Sequence, residues 1–400
     1  MARILILDAI HGGAVLAQRM AALGHSVTCA DVYGKASGET MRSISEAGAS
    51  AAAVVPRRHF DLVMMPVHCP DAFLEGVTWD ERITFHEAVG RLIDDGRFRI
   101  EVTGVKGKTG TCGVIAHVLH RSGMSVMLHT SRAYGPWENG GHREDGRMSI
   151  APTSLLRLPE GKYDVIVCEV SLGGSGKADI AVITNILDDY GIAAGTKKAS
   201  DAKSSILCGG TNIVARNESE YWKRYGKDLR EYGGRIRILG TDGIGGEIRT
   251  EIDYKGCHEI SIGKGYLAQE YIGAMEAALE VFCAMDIPAE AVLEGLRSFR
   301  GVPGRGEIRT DGNKMTVRER NPGISHLSVD HTLRCIKDCG FRGRALAVLD
   351  PVSKKVCDAV DMEMIRAAAD RHGIPMVISG EPYTPEDYDL IIEFIKEGYQ

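Results

Sequence analysis

The chain has 400 residues, 44% of them hydrophobic and 26% charged, with a formal net charge of −6. That length allows two or three domains with a sizeable core, and the composition is that of a soluble globular protein. The acidic balance offers no basic footprint for nucleic acid, and no apolar run is long enough to span a bilayer. Met1-Ala-Arg-Ile-Leu-Ile-Leu-Asp8 has too short an apolar run for a secretory signal and reads as a first strand, so a cytoplasmic protein without nucleic-acid or membrane partners is expected. Ten cysteines without a C-x-x-C pair indicate reduced thiols. Cys335 and Cys339 share a helix face, a spacing open to a metal or redox role but better read as two buried or half-buried thiols.

Residues 1–97 read as one α/β unit. Arg3 to Leu7, Ser26 to Ala30 and Phe60 to Val67 are strands, and Gly13 to Leu23 has helical spacing. Strands alternating with helices imply a parallel sheet. The first turn, Asp8-Ala-Ile-His11-Gly12-Gly13, lacks G-x-G-x-x-G, which argues against a dinucleotide. His11, Gly12 and Gly13 make either a substrate-binding turn or a tight turn with a histidine N-cap.

Residues 98–305 form a central unit. Phe98 to Val102 is a strand and Thr111 to His120 a helix; between them lies Gly104-Val-Lys106-Gly107-Lys108-Thr109-Gly110-Thr111. This is a shortened phosphate loop, G-x-x-G-K-T, because the regular motif would need glycine where Val102 stands. Its glycines let backbone N–H groups cradle phosphate, Lys108 can reach the terminal phosphates, and Thr109 can ligate magnesium. Ser125 to His129, Tyr163 to Val170 and Ile180 to Ile186 are further strands, and Ala199 to Leu207 is a helix. Ser131 to Arg147, rich in glycine and charge, reads as a loop. Strands follow at Ile213 to Ala215 and Ile236 to Leu239; Ile248 to Tyr254 and Glu259 to Ile262 read as an antiparallel edge. Tyr266 to Met285 and Ala289 to Phe299 are amphipathic helices joined at Pro288. Gly301-Val-Pro-Gly-Arg-Gly306 punctuates the chain, and residues 306–400 restart an α/β alternation, with strands at Ala345 to Leu349 and Met376 to Ser379.

Three residues extend the phosphate loop's chemistry. Glu169 ends an apolar strand, where a carboxylate can hold magnesium. Asn185 follows the next strand and could touch nucleotide or metal-bound water. Lys203 lies on a helix, where spacing alone does not distinguish it from a solvated lysine.

In order along the chain, Thr103-Gly-Val-Lys-Gly-Lys-Thr109, Cys168-Glu-Val-Ser171, Ile183-Thr-Asn-Ile-Leu-Asp-Asp189, Lys203, Pro303-Gly304-Arg305 and Asn321-Pro322 resemble the motifs of the Mur ligases and their folylpolyglutamate synthase relatives. The resemblance implies an α/β, three-domain architecture: a Rossmann-like substrate domain at 1–97, a central P-loop ATP-binding domain at 98–305 and a closing domain at 306–400. It implies ATP and Mg2+, with a substrate carboxylate activated as an acyl phosphate. Lys108, Glu169 and Lys203 would be catalytic, Thr109 and Glu169 metal ligands, Lys203 a carbamylated support for a second magnesium, and Arg305 a nucleotide-phosphate ligand. The pattern departs at Tyr190, Gly265-Tyr-Leu-Ala-Gln-Glu270 and Arg320, where the family carries histidine or His-Asn. Within the family, Asp8-Ala-Ile-His11-Gly12-Gly13, Asn185-Ile-Leu-Asp-Asp-Tyr-Gly191 and Arg320-Asn-Pro-Gly-Ile-Ser-His326 resemble the methanogen branch that completes coenzyme F-430. That branch implies a nickel tetrapyrrole polycarboxylate as substrate and a carbon nucleophile closing a carbocyclic ring. Such a nucleophile needs a base, for which His11, His68 and His326 are candidates. An amide-forming ligase on another polycarboxylate and a nucleotide-binding scaffold remain alternatives, and the oligomeric state stays open.

Overall fold

The computed structural model describes residues 1–187, 189–312, 314–351 and 361–396. The chain forms two compact units: Met1–Val105 with Ser125–Pro136 and Arg143–Arg230, and Lys106–Met124 with Trp137–His142 and the chain from Glu231 onward.

The first unit opens with five parallel strands, β1 (Arg3–Leu7), β2 (Ser26–Ala30), β3 (Ser50–Ala52), β4 (His59–Met65) and β5 (Thr78–Thr84), in the order β3-β2-β1-β4-β5. β1 is buried from Ile4 onward, as a strand covered on both faces must be. Each such isoleucine or leucine stabilises the fold by about 1.5–3 kcal/mol. β4 stops at Met65, before Pro66, which has no N–H to offer a ladder. Helices α1 (Ala14–Ala22), α2 (Gly38–Glu46) and α3 (Phe85–Leu92) accompany this sheet. Ser37 accepts from the Thr40 N–H to start α2, and Thr84 and Glu87 form a reciprocal capping box at α3.

The central strands are β6 (Arg99–Thr103) and, after α4 (Lys108–Arg121), β7 (Val126–His129). The stretch expected to be a loop at 131–147 instead carries a short hairpin, β8 (Tyr134–Glu138) and β9 (Gly141–His142). Then come β10 (Val165–Glu169), β11 (Ile180–Ile183), the two-residue pair β12 (Gly191–Ile192) and β13 (Lys197–Lys198), α5 (Ala199–Lys203), β14 (Thr211–Ala215), α6 (Ser219–Lys223) and β15 (Leu229–Tyr232). Strands β14-β11-β6-β10-β7 lie side by side, all parallel. One core runs from Ile4, Leu16 and Val89 to Leu155, Ile166 and Val170, joining both sheets of the first unit.

In the second unit, α4 is buried along most of its length and packs against α7 (Ile272–Ala284) and α8 (Ala289–Ser298). The expected antiparallel edge is a separate three-stranded sheet, β16 (Ile236–Thr241), β17 (Ile248–Asp253) and β18 (Cys257–Ile262). Helix α7 begins six residues later than its spacing implied, because Tyr266 and Leu267 leave the helical path and Ala268–Tyr271 forms a tighter turn. The last sheet has the order β19-β20-β23-β21-β22: β19 (Glu307–Asp311), β20 (Lys314–Asn321), β21 (Ala345–Asp350), β22 (Met376–Ile378) and β23 (Leu390–Lys396). Helices α9 (His326–Asp338) and α10 (Met362–Arg371) cover it, and Cys335 and Cys339 sit in its core as free thiols. Among the described residues, no helix is long and apolar enough to cross a membrane.

Candidate active site

The carboxyl ends of three adjacent parallel strands define the site in the first unit. Glu169 at the end of β10 pairs in register with Val102 of β6, and Ile183 of β11 pairs with Thr103. The Glu169 carboxylate, the first residues of the phosphate loop and Asn185 therefore leave the sheet together, where open α/β sheets bind ligands. Gly104 has φ 141°, and a Cβ there would stand 2.0 Å from Thr184 Oγ1, so only glycine fits. The next N–H, of Val105, donates to the Asn185 carbonyl at 3.0 Å, tying the Asn185 backbone to the loop. Gly107, at φ 81°, precedes Lys108, the first residue of α4. Glycine cannot cap a helix with a side chain, so the first-turn N–H groups of α4, with Lys108, Thr109, Gly110 and Thr111, suit an anion.

Glu169 is 3% exposed, and its Oε2 accepts the Ser131 N–H at 3.1 Å. A carboxylate so enclosed suits a metal ion better than a solvated surface role. Lys203, at the last position of α5, is 1% exposed, which spacing did not foretell. Its ammonium lies 5.2 Å from the centre of the Tyr190 ring. Tyr190 thus offers this lysine an aromatic face. Asp189 holds the start of α5, accepting the Ser200 N–H and hydroxyl at 2.8 Å each. Asp188 of the same motif lies outside the described residues.

Two buried groups escaped the sequence reading. Glu101, inside β6, accepts the Ser175 N–H at 2.7 Å and the Ser175 hydroxyl at 2.5 Å, and burial pushes its carboxyl up. It thereby pins the Ser171-Leu-Gly-Gly-Ser175 loop that follows Glu169. The signal was a glutamate placed inside an apolar β-run. His86 of α3 donates from Nε2 to the Ser171 carbonyl at 3.2 Å, and burial pushes its pKa down to about 4. The native state therefore keeps His86 neutral while the unfolded chain takes a proton below about 6.5. Its neutral form costs nothing above pH 6.5; stability is lost as pH falls from there to about 4, by on the order of 3 kcal/mol. His86→Gln should show a smaller fall in thermal midpoint between pH 7 and pH 5 than the natural chain. Equal falls would remove His86 from the account.

In the second unit, Lys106 donates to the Gly323 carbonyl and the Ser328 hydroxyl, so this loop lysine grips the Asn321-Pro322-Gly323 turn and the first turn of α9. Arg305 donates to the Arg320 carbonyl. Its turn is fixed by Tyr271, whose hydroxyl donates to the Arg305 carbonyl and accepts the Val302 N–H, each at 2.9 Å. Behind it, Glu319 accepts the Gly306 N–H and Glu270 accepts the Thr332 hydroxyl. Burial, reinforced by Glu319 beside it, raises the Glu270 carboxyl well above the usual range.

The first turn of the chain does not have the histidine cap expected of a tight turn. Asp8, not His11, caps the wide turn Ala9–Gly13, its Oδ1 accepting the N–H groups of Ile10 at 3.0 Å and His11 at 3.2 Å. A Cβ on Gly12 would meet Thr153 Oγ1 at 2.0 Å, so the turn is seated against 152–157, while the His11 side chain is half exposed. Asp8 Oδ2 contacts His11 Nδ1 at 2.6 Å and His68 Nε2 at 3.3 Å. His326, the third candidate base, starts α9.

No family model matches the chain. Over 98% or more of its length it superposes on solved structures such as the UDP-N-acetylmuramate–alanine ligase of Thermotoga maritima, with a TM-score of 0.53, 15% identity and 95% of that chain covered. The fold is that of the Mur ligases. Within that fold, the sequence is similar to coenzyme F(430) synthetases. The relative from Methanosarcina acetivorans is 28% identical, covering 93% of this chain and 88% of its own; that from Methanocaldococcus jannaschii is 27% identical, covering 94% and 90%. The chain thus resembles Mur-type ligases along nearly its whole length.

Proposed function

We propose that the chain is an ATP-dependent, ADP-forming ligase that activates a carboxylate of a nickel tetrapyrrole polycarboxylate and closes a carbocyclic ring on it, the last step toward coenzyme F-430. The observation that carries this reading is the glycine-built turn from β6 into α4, with Lys108 and Thr109 in the first turn of the helix. Likeness to coenzyme F(430) synthetases over 93% of the chain supports the substrate.

In this reading, residues 1–97 bind substrate, 98–305 bind ATP and 306–400 close over the nucleotide. Thr109 and Glu169 would hold Mg2+, which would supply charge neutralisation on the phosphates. Lys108 and the α4 N–H groups stabilise negative charge at the γ-phosphate while the substrate carboxylate attacks it. Asn185 and Arg305 contact the nucleotide, and Lys106, which already grips the Gly323 turn, couples the phosphate loop to the last segment. The Glu101–Ser175 contacts hold the loop behind Glu169 still. Enclosure protects the acyl phosphate from water.

An amide-forming ligase is the second reading, favoured by the alanine-adding neighbour in structure. Product analysis separates the two: a new carbon–carbon bond with ADP and phosphate supports ring closure, and an amide with an added amine overturns it. Glu169→Gln should raise the Mg2+ concentration for half-maximal turnover by at least about tenfold, the cost of a ligating charge. An unchanged magnesium titration would take Glu169 out of the metal site.

A further inference from the structure

The sheet order β3-β2-β1-β4-β5 changes direction at β1: the chain runs outward to β2 on one side and returns to β4 on the other. Ligands of open parallel sheets bind at such a point, beyond the carboxyl ends of the strands. Three side chains with acid–base chemistry converge there. Asp8 follows β1, while His11 lies in the turn after it and His68 in the loop after β4. Tyr33, from the loop after β2, stacks on the His68 ring at 6.4 Å and meets Phe73 edge-on at 5.5 Å.

The arrangement is directional. Asp8 is fully buried, yet both imidazoles it contacts reach solvent, His11 with half of its side chain and His68 with 29%. The Asp8 carboxylate can only accept. His11 must therefore carry a proton on Nδ1, at 2.6 Å from Oδ2, and its neutral form presents the lone pair of Nε2 on the opposite side of the ring. His68 donates from Nε2 in the same way, crossing the His11 ring edge-on at 4.9 Å. Asp8 adopts φ 74°, a region that non-glycine residues avoid. Backbone strain of this kind marks sites where side-chain placement matters more than ease of folding.

Resting on the ring-closing reading above, we propose that His11 is the general base for the carbon nucleophile, with Asp8 as the positioning residue that fixes its tautomer. His11 Nε2 takes the proton from the substrate carbon. The C–H electron pair attacks the acyl carbon and becomes the new C–C bond, the acyl C–O bond to phosphate breaks, and inorganic phosphate leaves with the electrons of that C–O bond. The imidazolium then returns the proton to solvent. Tyr33 and Phe73 give the macrocycle an aromatic flank beside the base.

The test uses the full chain, ATP, Mg2+ and the uncyclised nickel tetrapyrrole acid, with hydroxylamine to trap acyl phosphate as hydroxamate. His11→Gln, at a half-exposed position, should still yield hydroxamate but lose ring product about 100-fold or more, within the range for a removed general base. It should also lose enzyme-dependent exchange of the substrate carbon proton into heavy water. Ring closure within about threefold of the natural chain would overturn the assignment of His11 and leave the ligase reading standing. Absence of both hydroxamate and ring product from the natural chain would bring down the ligase reading and the base together. Nitrogen-15 spectra should show His11 as the Nδ1–H tautomer, and that signature should be lost in Asp8→Asn; an Nε2–H tautomer in the natural chain would overturn the proposal. So would a transition-metal ion retained at these three side chains through purification.

Discussion

Lys108→Ala should reduce ATP turnover by about 10²–10³-fold while leaving the fold intact. Phosphoryl transfer leaves little covalent work to the protein, so catalysis rests on positioning and on charge placed where charge develops. Lys108 stands first in α4, where the helix's partial positive charge and a full ammonium act in the same direction. Alanine keeps the helix geometry, because it is the best helix former and Lys108 is only half buried. The thermal midpoint should therefore move little, and nucleotide binding should weaken less than turnover, since the lost interaction is strongest in the transition state. Turnover within a few-fold of the natural chain would mean that the triphosphate is held elsewhere.

Lys203→Ala should be comparably inactive, and here the mode of recovery is informative. A lysine 1% exposed at the end of a short helix is an uncommon place for a cation. Asp189 anchors the start of that helix through Ser200, so the lysine stem is delivered from a fixed base. If the lysine works as a carbamate supporting a second magnesium, the alanine variant should regain activity with millimolar formate or acetate, which can fill the vacated space with a carboxylate. A fully active alanine variant would end the carbamate idea. An inactive variant that no carboxylate rescues would instead leave Lys203 as a cation held over the Tyr190 ring.

The elements legible in the sequence were those whose burial shows in a few consecutive residues. β1 and β10 are continuous apolar runs, and both strands lie within a residue or two of their expected limits. β5 was not legible, because Thr-Trp-Asp-Glu-Arg-Ile-Thr is exposed over its first five positions and carries no alternation. The capping signal of α3 was present in Thr84-Phe-His-Glu87 but lies directly behind that strand. The β8–β9 hairpin hid in a glycine-rich stretch, where pairing depends on partners rather than on pattern.

The site divides in the same way. The phosphate loop is one contiguous segment and announces itself. Glu101 looked like a strand residue because its partner Ser175 is far along the chain, and the burial of Lys203 depends on Tyr190 and the fold around it. The His11 turn was visible, but not its mechanics, since nothing local says that the preceding aspartate rather than the histidine closes the turn.

The backbone twist at position 8 sets folding against chemistry. Glycine there would relax a conformation worth about 1–3 kcal/mol but remove the carboxylate that caps the turn. It would also release two imidazoles to turn freely and share their protons at random. A less strained backbone is one substitution away, but the turn would lose its cap and neither ring would keep a fixed nitrogen facing outward.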